Sequence, residues 1–411
     1  MWDCCQLPSP SRRRLLTGGA AMFAWAQLPR LASAAGARDP RLVVIVLRGA
    51  LDGLAAVAPV GDPDYARLHG QIALSLAGEH PAIPLDSFFA LHPAMPVFAR
   101  LFREGQAAVV HAAATGYRER SHFDGQDVLE SGYPAPGHVQ SGWLNRAIAA
   151  LPVEGRVAGR GGLAVGPSTA LIMRGSVPVL GWAPQIANAA SEDLAGRVLD
   201  LYADRDPILK VALAQGLETE RIAAREGMGG ATPAARPRDA LAGMRITAEG
   251  AAKLMAADDG PRVAALAFDG WDTHANEGGA TGRLAELLGG LDAAFEALQK
   301  GLGSRWKDTS VVAITEFGRT ARINGTVGTD HGTATVVFLA GGAIKGGRII
   351  ADWPGLKDEQ LFERRDLRPT TDLRAVLKGL LLDQFQLTPA LLGESVFPES
   401  GAVRPMPGIC T

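Results

Sequence analysis

Residues 42–47 read LVVIVL, an unbroken run of apolar, mostly β-branched positions with no polar alternation. A strand buried on both faces reads this way, which is the pattern of a parallel central sheet covered by helices. The same signature returns at 107–112 (AAVVHA), 263–268 (VAALAF), 310–315 (SVVAIT) and 335–339 (TVVFL). After the run at 263–268, Leu284, Leu287, Leu288, Leu291, Phe295 and Leu298 recur every three or four positions, the spacing of one helix face. Strand, loop, helix, strand in this order predicts an α/β fold with a mostly parallel central sheet and helices on both faces. In such sheets ligands bind beyond the carboxyl ends of the strands, so the residues that follow each run hold the functional information.

The rhythm changes twice. Over 152–261 it is more helical, with helices expected at 191–224 and 239–257 and a linker-like patch, GMGGATPAARPR, at 227–238. This reads as a helical insertion or cap on one domain spanning 35–411. At the start, 11–17 read SRRRLLT, a weakly apolar stretch covers 18–28, and Ala32-Ser33-Ala34 follows. Paired arginines, a short hydrophobic core and a small-x-small site are the three parts of a twin-arginine export signal. The apolar run is shorter than the roughly 20 residues that span a bilayer, so no stable membrane span is expected. Residues 1–34 are therefore read as a signal peptide recognised by the twin-arginine export machinery, and the mature chain as periplasmic or secreted.

Composition narrows the chemistry. With 41 Lys and Arg against 43 Asp and Glu, the 411-residue chain lacks the basic excess of a nucleic-acid binder. Removing 1–34 takes away four arginines and one aspartate, leaving 37 basic and 42 acidic residues and a net charge of −5. Cys4, Cys5 and Cys410 are the only cysteines, which excludes a disulfide framework and a cysteine zinc site. Any metal must be held by histidines and carboxylates.

Such residues cluster where the sheet reading places a site. After the first run comes Asp52 in a glycine-lined turn, and after the second Ser121 and His122 open a predicted helix close to Arg118 and Arg120. A serine at a helix start lies near unpaired backbone amides that favour an anion. The third run is followed by Asp269, Asp272 and His274, an acid-plus-histidine loop suited to zinc, manganese or iron. The fourth leads to Glu316, Phe317 and Arg319, then to Gly328-Thr329-Asp330-His331-Gly332. His69, His80 and His92 read as cap or turn residues, and 159–164 as a loop rather than a dinucleotide fingerprint. There is neither a G-x-S-x-G elbow nor a phosphate loop.

Taken in order, these motifs resemble the alkaline phosphatase and sulfatase superfamily. More narrowly, Asp52-Gly53-Leu54, Arg120-Ser121-His122-Phe123, Asp272-Thr273-His274-Ala275-Asn276, Glu316-Phe317-Gly318-Arg319 and the segment from Gly328 to Gly332 resemble an exported branch of it without an assigned function. The resemblance implies an alkaline-phosphatase-like fold and one or two divalent metal ions, zinc first, with manganese, calcium or iron as alternatives. It implies one metal on Asp272, His274 and His331, a second on Asp52 and Glu316, and Ser121 as the attacking or bridging group. His122 or Asp330 would complete the second site, because Phe317 stands where phosphatases place a histidine. Arg118, Arg120 or Arg319 would grip a small anionic ester, and hydrolysis of a phosphate or sulfate ester follows. The alternative is a degenerate metal-binding or assembly protein on the same fold.

Overall fold

Val43, Ile45 and Leu47 face one side of the first strand and Leu42, Val44 and Val46 the other, and all six are at most 1% exposed. Both faces are thus covered, as the unbroken apolar run requires. The computed structural model describes residues 38–137, 139–151, 161–184, 210–211, 213–219 and 240–411. Among these, nine strands form the main sheet: β1 (Arg41–Arg48), β2 (Ala107–Ala114), β3 (Leu163–Val165), β4 (Leu180–Trp182), β5 (Val263–Asp269), β6 (Thr309–Ile314), β7 (Thr335–Ala340), β8 (Arg348–Ile350) and β9 (Thr371–Asp372). Their spatial order is β8-β2-β7-β6-β1-β5-β3-β4, with β9 also paired to β2.

The principal helices are α1 (Pro96–Arg103), α2 (His122–Ser131), α3 (Trp143–Ala150), α4 (Ala240–Ala256), α5 (Arg283–Leu302) and α6 (Leu373–Phe385). Helices α1, α4 and α5 pack on the face of Val43, Ile45 and Leu47, while α3 and α6 pack on the opposite face. The fold is α/β with a mostly parallel central sheet, as the sequence predicts. No helix among the described residues is long and apolar enough to cross a membrane.

One topological detail positions the site. Every pairing in the main sheet is parallel except the two made by β7, which runs against β2 and β6. Its amino end therefore lies at the same rim as the carboxyl ends of its neighbours. The residues before β7 meet those that follow β1, β2, β5 and β6.

The stretch at 152–261 departs in part from the expected helical insertion. Its described portions include β3 and β4, which extend the sheet beyond β5, and α4, which is buried against the same sheet. Strands of three residues are too short for a periodic signal, which is why they read as loop. The signal at 1–34 and the linker at 227–238 lie outside the described residues. So does the helix expected at 191–224, apart from 210–211 and 213–219, which are helical.

Ile45, fully buried at the middle of β1, tests how far stability depends on this sheet. Ile45→Ala is expected to cost about 2–5 kcal/mol of unfolding free energy, read from the midpoint shift in urea denaturation at unchanged slope.

Candidate metal centre

The loop after β5 is anchored before it delivers its side chains. Trp271, fully buried, donates its backbone amide to the Arg48 carbonyl at the end of β1 (3.2 Å). Asp272 and His274 follow and turn toward solvent, with side chains 41% and 44% exposed. The segment from Gly328 to Gly332 then closes against them. A Cβ on Gly328 would come within 2.4 Å of the His274 carbonyl group, and one on Gly332 within 2.3 Å of that of Arg319. Only glycine permits these backbone approaches, and they bring His331 over the Asp272 loop.

Three imidazoles and one carboxylate meet there. His331 Nε2 lies 2.9 Å from His122 Nε2 and 2.9 Å from His274 Nε2. Asp272 Oδ1 is 3.0 Å from His274 Nε2 and 3.2 Å from His331 Nε2, and Oδ2 is 3.5 Å from His122 Nε2. Ligand atoms of His122, Asp272 and His331 all fall within 4.8 Å of one another.

The far side of each ring fixes its tautomer. His122 Nδ1 donates to Glu316 Oε1 (2.9 Å), His274 Nδ1 to Asp330 Oδ1 (3.1 Å) and His331 Nδ1 to the Arg120 carbonyl (2.9 Å). Carboxylates and a carbonyl only accept, so each Nδ1 bears its proton and each neutral ring presents a lone pair at Nε2. The single lone pair of His331 Nε2 cannot satisfy two neighbours that are also lone pairs. A cation at this point resolves the conflict, and the converging set of His122, His331 and Asp272, with the two rings backed by acceptors at Nδ1, fits a divalent transition metal or zinc.

The electrostatics agree. The hydrogen bond to Glu316, opposed by burial, holds His122 above its ordinary pKa, while burial and then the neighbouring His122 push His331 below its own. Burial works against the Asp272 carboxylate, but Arg319 outweighs it, donating from Nη1 to Oδ1 at 2.6 Å, and the carboxyl stays below its usual range. Glu316 is likewise held low against its burial by His122 and by backbone amides including that of Gly49.

Phe317 occupies the position where a second imidazole was expected. Its ring stacks on His122 (centroids 5.1 Å apart) and lies 5.3 Å from that of His331. It is a wall for two of the three rings, not a ligand.

The remaining expected site residues are placed differently. Asp52 stands apart: its carboxylate is 1% exposed, caps the helical turn Gly53–Ala56 and pairs with His69 Nε2 (3.3 Å). Glu316 and Asp330 support rings from behind, and Asp269 is exposed at the end of β5, outside the cluster. A second metal site on Asp52 and Glu316 is thus not assembled among the described residues. Ser121 gives no side-chain cap to α2, and its backbone amide donates to the Tyr117 hydroxyl (3.2 Å). Arg118 donates to the Thr115 and Tyr117 carbonyls, and the Arg120 guanidinium turns to Asp366 (2.9 Å) and Glu363. Arg120 contributes through its carbonyl instead, from a left-handed backbone at φ 60°. Arg319 is buried, with its guanidinium on Asp272 and Thr329.

Several supporting residues were not anticipated. Gln126 donates to Glu316 (3.3 Å), and Asn324 donates to Asp330 (3.0 Å) and to the His274 carbonyl (2.9 Å). Glu277, fully buried, accepts from Thr329 (2.7 Å), which in turn accepts from Arg319 Nε (3.2 Å). Burial and then Asp52 raise the Glu277 carboxyl well above the usual range. Amide side chains and a glutamate without strand-end placement leave no sequence signal for such supporting roles. His69, read as a cap or turn residue, is buried between Asp52 and the Ala321 carbonyl, whereas His92 does serve a turn, accepting from the Ala94 amide.

Two measurements follow. Glu316→Gln is expected to weaken zinc binding by about 10–100-fold in a competitive chelator titration, because the amide no longer anchors His122 as a carboxylate does. The raised pKa of His122 stabilises the metal-free fold below its ordinary 6.5, and this contribution is lost as pH rises through the raised value. At one fixed zinc concentration the gain in melting temperature should therefore be larger at pH 8 than at pH 6, about 3 °C where that concentration is a hundredfold over Kd.

No curated protein matches the chain. Among solved structures, Ps i-CgsB in complex with k-i-k-neocarrahexaose is similar with a TM-score of 0.40 and 11% identity, over 90% of this chain and 75% of that one. The phosphonate monoester hydrolase of Agrobacterium radiobacter follows with a TM-score of 0.33 and 10% identity, over 75% of this chain and 70% of that one. Both similarities are remote. A family model described as "Protein of unknown function (DUF1501)" matches residues 39–396, so the chain, with its histidine and aspartate cluster at the sheet's rim, belongs to the DUF1501 family.

Proposed function

We propose that this protein is an exported metal-dependent hydrolase of phosphate or sulfate esters that works with one divalent cation. The observation that carries this reading is the convergence of His122, His331 and Asp272 at the solvent-facing rim of the sheet, with His274 Nε2 beside His331 and Asp272. A nitrogen-rich set favours zinc, manganese or iron over calcium, which takes oxygen ligands. A divalent cation held there supplies Lewis acidity toward an ester oxygen.

The chain's own residues prepare the site for it. Glu316, Asp330 and the Arg120 carbonyl hold the three imidazoles in one tautomer, and Arg319 keeps Asp272 ionised and aimed. No side chain caps the first turn of α2 beside His122, and its amides favour a negatively charged group. The order of the motifs along the chain adds the superfamily resemblance, and the three-part signal read at 1–34 supports action outside the cytoplasm.

Among the described residues no contact ties the Ser121 hydroxyl to the cluster, which supports water as the nucleophile. That same placement, together with arginines committed elsewhere, supports a second reading: a metal-binding protein without catalysis.

Elemental analysis of protein purified from metal-replete cells is expected to give one ion per mature chain. With 4-nitrophenyl phosphate or sulfate as substrate, His274→Ala should lower kcat/KM more than about a hundredfold, whereas Ser121→Ala should stay within about tenfold. Bound metal without hydrolysis would favour the second reading, and the absence of any metal would defeat both.

A further inference from the structure

Arg319 meets the metal centre through one nitrogen and is held in place by the other two. Nη1 donates to Asp272 Oδ1 (2.6 Å), while Nε donates to Thr329 Oγ1 (3.2 Å) and Nη2 to the Thr329 carbonyl. Thr329 is itself fixed on the metal loop, because its amide donates to the carbonyl of Thr273, the residue between Asp272 and His274 (3.3 Å). A guanidinium only donates, so the Thr329 hydroxyl accepts from Arg319 and spends its single proton elsewhere. That proton goes to Glu277 Oε2 at 2.7 Å. A continuous line of hydrogen bonds thus runs from Glu277 through Thr329 and Arg319 to Asp272, and its first three members are buried.

The inner end of this line is a carboxyl in a demanding place. Glu277 Oε2 accepts from Thr329, but Oε1 is buried and finds no donor among the described residues. The group beside it is another buried carboxyl, Asp52, whose Oδ1 accepts from the Leu54 and Ala55 amides and whose Oδ2 faces His69. Ionised, Glu277 would keep a bare oxygen in the interior next to a second negative group, and it would compete with Asp272 for the charge of Arg319. A proton on Oε1 removes both conflicts. The acid then donates to Asp52, still accepts from Thr329 at Oε2, and leaves the guanidinium charge to Asp272.

We infer that Glu277 and Thr329 are positioning residues for the metal centre: Glu277, as a neutral acid, sets the Thr329 hydroxyl, Thr329 sets the Arg319 guanidinium, and Arg319 presents Asp272 to the cation. The inference rests on the metal-dependent reading of the site, but its tests need no turnover. Thr329→Val keeps the shape and removes the hydroxyl, and it is expected to weaken zinc binding about tenfold in a competitive chelator titration. Thr329→Ser should restore the affinity to within about threefold of the parent. Glu277→Gln should also stay within about threefold, because an amide accepts from Thr329 and donates to Asp52 as the neutral acid does, whereas Glu277→Leu should match Thr329→Val. In the metal-free protein at neutral pH, the infrared spectrum should contain the carbonyl band of a protonated carboxyl that Glu277→Gln removes. Thr329→Val protein that is less stable in urea yet binds zinc as tightly as the parent overturns the relay. So does Glu277→Gln protein that loses as much affinity as Glu277→Leu, or that leaves the infrared spectrum unchanged. If Thr329→Val does not fold, Glu277→Gln and the infrared band decide the matter by themselves. Parent protein that binds no zinc is instead the failure of the metal-dependent reading, and the relay falls with it.

Discussion

Everything at the rim of this sheet depends on three imidazole lone pairs facing one another. His331 Nε2 lies 2.9 Å from Nε2 of each of the other two, too short for neutral acceptors with nothing between them, and the proton on each Nδ1 is committed to Glu316, Asp330 or the Arg120 carbonyl. Acceptors pressed together cannot satisfy one another, so the arrangement calls for a compensating charge. A cation supplies it. The supporting carboxylates, the buried Arg319 on Asp272 and the Phe317 wall all serve to keep that conflict in place.

The conflict is possible because of the sheet. Strands β1, β2, β5 and β6 bring their carboxyl ends to one rim, and the reversed β7 sends the Asp330-His331 segment to the same place. Ligands drawn from loops after β2 and β5 and before β7 therefore meet without a dedicated subdomain. Two glycines, Gly328 and Gly332, let the last of these loops lie directly on the backbone of the others.

The long buried strands were legible from their unbroken apolar runs, and α5 from its three-and-four spacing. Asp272, His274 and His331 were legible as a group because acids and histidines are scarce and fall just beyond or before strands. The grouping of the rest was not. His122 follows a serine at a helix start and reads as a catalytic neighbour, whereas the orientation of α2 points its ring at His331. Asp52 looks like a ligand from its position after β1, yet its oxygens are used by the turn it caps and by His69. Tautomers, and the distinction between holding a metal and holding a ligand, depend on contacts between residues about 190 to 210 apart, which no local pattern records.

The most direct test of the cluster is nitrogen NMR of the histidine rings in the zinc-loaded mature protein. The account predicts that His122, His274 and His331 each carry the proton on Nδ1 and that Nε2 of all three shifts on addition of one equivalent of zinc. A ring among them protonated at Nε2, or one whose Nε2 resonance does not respond to zinc, would contradict it.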